Sequence, residues 1–285
     1  MQRTLLIAST IALAACLKVA ASILPPQPPP GRREVEREGR HLVQIAGGCG
    51  CHGPNFAGWR RGGPDTFPRA APFGERFVSP DGIVPAPNIT PDAGTGIGGW
   101  TDQEIEQALT EGIEPGGGKL SPIMPYRAYA GMSRADIQAI VAYLHCLRPV
   151  DNDVPAPVLN KPVEDLPPAL AADVRPAGGV DLGRYLVRNV CSCADCHGDN
   201  LAGKVMRMGS ELTVVPNITP GARGVGQWSE GDIARYLRTG SRPDGGLAQG
   251  PMAAVILTSF SHLSPAEARA VAEYLKTVPP VDKSR

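Results

Sequence analysis

Aromatic residues and excess charge are what this 285-residue sequence has least of. Aromatic residues make up 5% of the chain, and its 28 basic residues equal its 28 acidic residues. The balanced charge excludes the basic footprint that is typical of nucleic-acid-binding proteins. The chain also lacks a P-loop, a dinucleotide fingerprint and a nucleophile elbow, so it offers no independent catalytic centre.

Glycine and proline are abundant instead, with 34 and 30 residues, and hydrophobic residues make up 42%. This hydrophobic content allows a packed core and excludes wholesale disorder. Frequent glycine and proline predict short helices joined by long loops, with no room for strands of useful length. We therefore expect an all-α fold whose centre is filled with help from a metal, disulfides or a cofactor. The seven cysteines and five histidines are the residues to inspect.

The first 22 residues have the pattern of a signal peptide or membrane anchor. Their apolar run, residues 5–15, is shorter than the span of about 20 residues that crosses a membrane. Residues 13–16 match a bacterial lipobox, which predicts lipidation at Cys16; cleavage within 19–22 and an uncleaved anchor are the alternatives. Residues 23–31 are a proline-rich spacer. All three alternatives predict a location at the periplasmic face of a bacterial membrane or in the periplasm.

The rest of the chain repeats one pattern twice. The first copy contains residues 41–43, 51–53, 87–91, 99–101, Met124 and 142–144. The second contains residues 185–187, 196–198, 216–220, 227–229, Met252 and 273–275. In both copies a methionine follows the tryptophan by 24 residues. The repeat predicts two domains, 32–148 and 178–285, joined by a proline-rich linker at 149–177.

Helices are predicted from apolar periodicity and from capping residues. Residues 35–46 and 181–190 carry apolar residues at helical spacing just before the cysteines. Four hydroxyl residues, each followed three positions later by an acid, predict helix N-termini: Thr101, Ser133, Ser229 and Ser264.

The second copy contains Cys193, Cys196 and His197 in the pattern C-x-x-C-H, which is typical of covalent c-type haem attachment. Two cysteines at this spacing, on the last turn of a helix, reach the two vinyl groups of one porphyrin. The adjacent histidine then coordinates the iron. Met252 is the candidate for the sixth ligand, because a methionine in that position raises the potential of the iron.

The first copy departs from this pattern, because Cys49, Cys51 and His52 form C-x-C-H. Either Cys51 alone makes one thioether, or Cys49 also bonds through a tighter turn that the neighbouring glycines permit. A third alternative is that this half carries no haem. Since His52 and Met124 are both retained, we expect haem here, and therefore two covalently bound haem c groups in the chain.

Three cysteines have no role in haem attachment by the regular spacing. Cys49, Cys146 and Cys191 are candidates for one disulfide, since spare cysteines in exported proteins often pair. The remaining histidines, His41, His145 and His262, are expected to be surface or hydrogen-bonding residues.

The chain resembles bacterial membrane-associated multi-haem class I-like cytochromes c, which accompany periplasmic dehydrogenases. The residues that carry the resemblance are 86–92, 95–100, 124–126, Tyr129 and 132–133 in the first half, and 250–253, 263–264 and 274–276 in the second. The resemblance implies two tandem class I cytochrome c domains. It implies Cys193, Cys196, His197 and Met252 as haem-binding residues of the second domain, and Cys51, His52 and Met124 of the first.

The leading functional hypothesis is an electron carrier. Two haems would pass single electrons from a periplasmic dehydrogenase or another donor to a terminal oxidase or soluble cytochrome. The alternative is a two-haem oxidoreductase, of the peroxidase or thiosulfate-oxidising type, with an exchangeable axial position in the first domain. A third hypothesis is a zinc-binding structural module built on the two Cys/His clusters.

Overall fold

The computed structural model describes residues 31–47, 51–52, 76–79, 82–163, 174–208 and 211–282. The predicted signal segment 1–22, with Cys16, lies outside these residues, as does Cys49. Residues 35–285 form one compact unit. Among the described residues, no helix is both long and apolar enough to cross a membrane.

The described part of the chain is mainly helical, as predicted. Its first half, residues 32–148, contains α1 (Arg32–Ala46), α2 (Asp102–Thr110), α3 (Tyr126–Tyr129) and α4 (Arg134–His145). Its second half, residues 178–282, contains α5 (Gly179–Tyr185), α6 (Cys193–His197), α7 (Glu230–Thr239), α8 (Gly250–Thr258) and α9 (Pro265–Thr277). A short π-helix (Leu186–Val190) follows α5, and a 3-10 helix (Phe260–His262) precedes α9.

The expectation of no useful strands was wrong. The described residues contain five short strands: β1 (Arg76–Ser79), β2 (Gly82–Pro85), β3 (Val158–Leu159), β4 (Lys204–Met208) and β5 (Glu211–Val215). They form an antiparallel three-stranded sheet, β1-β2-β3, and an antiparallel hairpin, β4-β5. The high glycine and proline content conceals these strands, because the short segments between the glycines still contain β-branched and other apolar residues and are long enough for a hairpin.

The predicted helix starts agree with the structure. Thr101, Ser229 and Ser264 each accept a hydrogen bond from the backbone of the third helical residue, whose side chain bonds back to the cap in all three cases. Ser133 caps α4 through the amide of Asp136. Each cap satisfies amide groups that the first turn of a helix otherwise leaves unpaired.

The first and last helices of each half cross at a glycine. A Cβ atom on Gly39 of α1 would lie 1.8 Å from the carbonyl oxygen of Ala139 in α4. A Cβ atom on Gly183 of α5 would lie 1.9 Å from the carbonyl oxygen of Ala270 in α9. Because glycine has no Cβ, each helix pair packs backbone against backbone, and the crossing has the same form in both halves.

The two halves share one continuous hydrophobic core. Its largest side chains that are fully buried are Leu42, Ile45, Met132, Leu186, Leu201 and Leu263. The linker follows the surface in extended form where it is described, and its Val158–Leu159 segment returns to the first half as β3.

Polar contacts between the halves are reciprocal. His41 of α1 bonds through Nε2 to the Glu267 carboxylate of α9 at 2.9 Å, and the Tyr185 hydroxyl of α5 donates to the Asp136 carboxylate of α4 at 2.6 Å. Each pair joins the first helix of one half to the capped start of the last helix of the other half. Arg175 of the linker adds ion pairs to Glu38 and, at 2.8 Å, to Glu267.

Candidate functional site

The C-x-x-C-H residues of the second half lie on a helix of their own. After the π-helix, Ser192 adopts the left-handed conformation (φ 43°), and the chain then forms α6, Cys193–His197. The predicted helix 181–190 thus ends before the cysteines, as expected, and the C-x-x-C-H residues form one helical turn of their own after Ser192. Within α6, Cys193 and Cys196 are three residues apart and so share one helical face.

His197 is buried, and its ring is fixed from behind. Its Nδ1 donates to the carbonyl oxygen of Pro216 at 2.8 Å. Burial lowers the pKa of His197, which favours the neutral imidazole. With the proton on Nδ1, Nε2 carries the lone pair that a metal requires. A metal-binding histidine usually donates its other ring N–H to a carboxylate, a backbone carbonyl or water, as Nδ1 does here.

His52 of the first half has the same support. Its Nδ1 donates to the carbonyl oxygen of Pro87, also at 2.8 Å, and burial lowers its pKa. Cys51 and His52 both lie in a helical turn and are half-buried. The shorter C-x-C-H spacing thus leaves the orientation of the histidine unchanged.

The two proline carbonyls belong to the repeated Pro-Asn-Ile-Thr segments, whose role the sequence did not reveal. Asn217 donates through Nδ2 to the Val281 carbonyl oxygen at 2.6 Å, and the Thr219 hydroxyl accepts from the Val281 amide at 3.0 Å. The asparagine therefore ties the loop to the segment that follows the last helix.

In the first half the same pattern recurs at residues 88–90. Asn88 Nδ2 donates to the Val150 carbonyl oxygen at 2.8 Å, and the Thr90 hydroxyl accepts from the Val150 amide at 3.1 Å. The signal was present in the sequence as a Pro-Val-Asp segment that follows the last helix of each half, at 149–151 and 280–282. Spacing alone did not connect it to the histidine loop.

Met124 and Met252 follow matching turns. The amide of Leu120 donates to the Gly112 carbonyl oxygen at 2.7 Å, and the amide of Ala248 donates to that of Gly240 at 2.8 Å. Each methionine comes four residues after this bond. Both side chains are partly buried and pack against the hydrophobic core.

The described cysteines differ in environment. Burial, with Cys196 close by, raises the pKa of the Cys193 thiol to about 12, and burial also raises that of Cys196. Cys191 is buried and Cys146 is exposed, and the two are not joined in a disulfide. Of the pairings that the sequence left open, this excludes Cys146 with Cys191. Pairings with Cys49 fall outside the described residues.

The other histidines serve as hydrogen-bonding or surface groups. His145 Nε2 lies 2.9 Å from the Asp102 carboxylate, and His262 is exposed. Across the described ranges, no three His, Cys, Asp or Glu side chains converge on a common point, so the zinc hypothesis gains no support there.

The donor set fits haem c. Each half combines an imidazole with its Nε2 available, at least one neighbouring thiol and a partly buried thioether, whereas a structural zinc site needs four closely grouped nitrogen or sulfur ligands. The fit rests on these donor types and on the two supported histidine rings.

Comparison with known proteins gives the following relationships. The cytochrome c family model matches residues 180–279. The chain is 34% identical to a diheme cytochrome c-type protein of Cereibacter sphaeroides, over 83% of this chain and 84% of that protein.

Two further relatives are subunits of dehydrogenases. The chain is 32% identical to a gluconate 2-dehydrogenase cytochrome c subunit of Pantoea cypripedii and 30% identical to a fructose dehydrogenase cytochrome subunit of Gluconobacter japonicus. These matches cover 87% and 95% of this chain. The chain spans only 60% and 58% of the two relatives' lengths.

Proposed function

The chain belongs to the family of bacterial multi-haem cytochromes c, and from this premise we propose that it is a di-haem electron carrier of the periplasm. Covalently bound haem c and electron transfer follow from the family. The proposal adds that both halves, 32–148 and 178–285, are tandem cytochrome c domains with one haem each.

Four residues would hold the haem in the second half: Cys193 and Cys196 through thioethers, and His197 and Met252 as axial ligands. In the first half, Cys51 would supply a thioether, with Cys49 as a second, and His52 and Met124 would be axial. When bound, haem c supplies a one-electron couple between ferric and ferrous iron.

One observation carries the proposal to both halves. The ring of each candidate axial histidine donates from Nδ1 to a proline carbonyl oxygen at 2.8 Å. Such a bond fixes the tautomer and orientation of a metal-binding imidazole and raises its basicity. A first half that had lost its cofactor would have no need to keep this bond, nor the anchored Pro-Asn-Ile-Thr loop behind it.

The donor is proposed to be a periplasmic dehydrogenase, because two relatives are named as cytochrome subunits of a gluconate 2-dehydrogenase and a fructose dehydrogenase. The acceptor would be a soluble cytochrome or a terminal oxidase. Attachment to the membrane would come from the first 22 residues, through a lipid on Cys16 or an uncleaved helix.

The alternative, an oxidoreductase with an exchangeable axial position in the first half, gains no support from the geometry. Met124 follows a turn equivalent to the one before Met252. His52 donates to a proline carbonyl oxygen, as His197 does.

The test is the intact mass of the denatured mature protein, produced in a host that matures c-type cytochromes. We expect the mass of two haems. Loss of one haem in the Cys49→Ala/Cys51→Ala variant and of the other in the Cys193→Ala/Cys196→Ala variant would assign them to the two halves. A wild-type mass with one haem would contradict the proposal, and no haem would contradict the family assignment of the site.

The number of thioethers in the first half has its own measurement. The pyridine haemochrome band of the Cys193→Ala/Cys196→Ala variant reports the first haem alone. A Cys49→Ala substitution in that background shifts the band only if Cys49 is bonded.

A further inference from the structure

Both halves insert a β-hairpin at the same place in the site. In the first half, β1 and β2 lie between His52 and its acceptor Pro87. In the second half, β4 and β5 lie between His197 and its acceptor Pro216. In each case the second strand of the hairpin ends two residues or fewer before the proline.

The two hairpins differ in what covers the outer edge of the second strand. In the first half, β3 pairs with β2, so that Gly82 is opposite Leu159 and Ile83 is opposite Val158. In the second half, none of the described residues pairs with the outer edge of β5. Alternate residues of an edge strand direct their backbone amides and carbonyls away from the sheet, and these groups can accept another strand.

The side chains on this edge are apolar and exposed. Leu212 and Val214 of β5 have 67% and 75% of their surface exposed. They share one face of the strand, because residues two apart point the same way. In the first half, by contrast, Gly82 is buried and Ile83 is partly buried. Apolar side chains on an open strand edge are uncommon on a protein without a partner, because they invite strand pairing.

We propose that the outer edge of β5 is a docking site for an extended apolar segment of a partner polypeptide, which adds to the hairpin as an antiparallel third strand. The chain's own β3 supplies the chemistry of the occupant. It is a Val-Leu pair preceded by Pro155 and Pro157, and it pairs with β2 through only two residues. Prolines beside the pairing residues limit further strand addition, since a proline cannot donate to the ladder.

The register of the added strand differs from that of β3. The Val158 carbonyl oxygen would lie 2.2 Å from a Cβ atom on Gly82, so β3 approaches β2 at a position that only glycine permits. Glu211 takes the corresponding place directly after the turn of the second hairpin. The partner segment therefore pairs further along, beside Leu212–Val214, where the exposed apolar side chains lie.

This surface lies next to the support of His197. Val214 is two residues before Pro216, whose carbonyl oxygen fixes the ring of His197. A partner bound at the β5 edge thus contacts the segment that orients the proposed axial ligand. The docking proposal itself rests on the strand edge and holds whichever haems are present.

A peptide and nuclear magnetic resonance would test the site. The probe is the synthetic peptide of residues 153–161 (Asp-Val-Pro-Ala-Pro-Val-Leu-Asn-Lys), added to the ¹⁵N-labelled full chain with its haem. We expect saturable shifts confined to the amides of residues 212–215 and their neighbours. The same peptide with N-methylated Val and Leu, which cannot donate to a ladder, should not cause them.

Matched variants distinguish the contribution of the β5 edge to peptide binding from that of the rest of the hairpin. In Leu212→Lys/Val214→Lys, charge on the docking edge should weaken peptide binding by about tenfold or more. Val205→Lys places a charge on β4, opposite Val214 but away from that edge, and should change binding by no more than about twofold. Retained amide dispersion outside β4 and β5 shows that each variant folds.

Three results would overturn the proposal. Shifts at β2 instead of β5 would show that the peptide only displaces β3. Absence of shifts at the highest soluble peptide concentration would show that the edge binds no such segment. Concentration-dependent shifts of residues 212–215 without peptide would assign the edge to a second copy of this chain.

Discussion

Two glycines decide how closely the first and last helices of each half approach each other. Gly39 and Gly183 face backbone carbonyl oxygens that an added Cβ atom would meet at 1.8 and 1.9 Å. A contact that short cannot be relieved by a side-chain rotation, because the opposing atom belongs to a helix backbone. The helix pairs must therefore separate if either glycine is replaced.

We expect Gly183→Ala to reduce the free energy of unfolding by about 1–3 kcal/mol, the usual range of overpacked core substitutions. Gly178→Ala is the matched control, since a Cβ atom there meets nothing within 4 Å and its φ of 174° is extended. Guanidinium unfolding of both variants measures the difference. Equal stabilities would contradict the close crossing of α5 and α9.

The asparagines of the Pro-Asn-Ile-Thr loops are the second residue-scale prediction. Asn217→Ala removes the bond to the Val281 carbonyl oxygen and should cost about 1–3 kcal/mol of stability, because a partly buried acceptor loses its donor. It should also broaden the resonances of His197, whose acceptor is the neighbouring Pro216. Asn200→Ala, at an exposed turn, is the control and should leave both properties unchanged.

At the scale of elements, the capping box at the start of α9 both caps that helix and contacts the other half of the chain. Ser264 accepts from the Glu267 amide, and Glu267 bonds back to the Ser264 amide while also binding His41 of the other half. Ser264→Ala should therefore reduce the free energy of unfolding by more than the loss of an N-cap that makes no contact with the other half.

We expect Thr101→Ala at the exposed start of α2 to cost about 1 kcal/mol, the usual value of an N-cap. The Ser264→Ala cost should exceed it, and the excess should disappear when His41 is replaced by Gln. Thermal unfolding of the three single variants and of Ser264→Ala/His41→Gln completes the cycle. An unchanged difference in the His41→Gln background would show that cap and cross-half contact are independent.

The sequence predicted helix starts well and strands poorly, for a physical reason. A cap is a local signal of four residues, and Thr101, Ser133, Ser229 and Ser264 all start helices in the structure. A short hairpin such as β4-β5 depends on cross-strand pairing between residues up to eleven positions apart, which periodicity in four or five residues does not reveal.

The same distinction applies to the site. Spacing alone singled out His52, His197, Met124 and Met252 as candidates, because the repeat supplies one such histidine and one such methionine in each half. The groups that accept hydrogen bonds from the two histidines are the backbone carbonyls of Pro87 and Pro216. Every residue has a backbone carbonyl, so residue type does not indicate which one is the acceptor. Their anchors, Asn88 and Asn217, stood in the repeated segments, but the valines that they bind lie more than 60 residues away.

At the scale of the whole molecule, a pH-sensitive ion pair joins the halves. His41 faces Glu267, Glu38 and Arg175; the hydrogen bond to Glu267 raises its pKa above 6.5. A raised pKa means that the folded state holds the proton more tightly, so this stabilisation is complete below pH 6.5 and is lost as the pH rises through the folded pKa. The pKa of Glu267 is lowered from 4.5 to about 2, so its contribution is lost as the pH falls below 4.5.

We therefore expect the cross-half contact to contribute most between about pH 4.5 and 6.5. Urea unfolding from pH 5 to 8 should show that stability falls with pH more steeply in the wild type than in His41→Gln. Tyr185→Phe removes the other reciprocal bond and should lower stability, and His41→Gln should change the slope by the same amount in that background, because the two contacts are separate. Parallel curves for the wild type and His41→Gln would contradict the prediction.

The reciprocal contacts have the form of the interface of a homodimer whose two subunits have become one chain. In a true homodimer, symmetry requires that the residue on one side of the axis also stand on the other, so both contacts must change together. Here His41 occupies the place that Tyr185 occupies in the second half, and Glu267 the place of Asp136. Because the two halves are one chain, the two contacts are free of that constraint: one places a histidine and the other a tyrosine against a carboxylate. One chain can thus give two otherwise similar halves unequal environments, and in the di-haem carrier proposed above such inequality would give a transferred electron a direction.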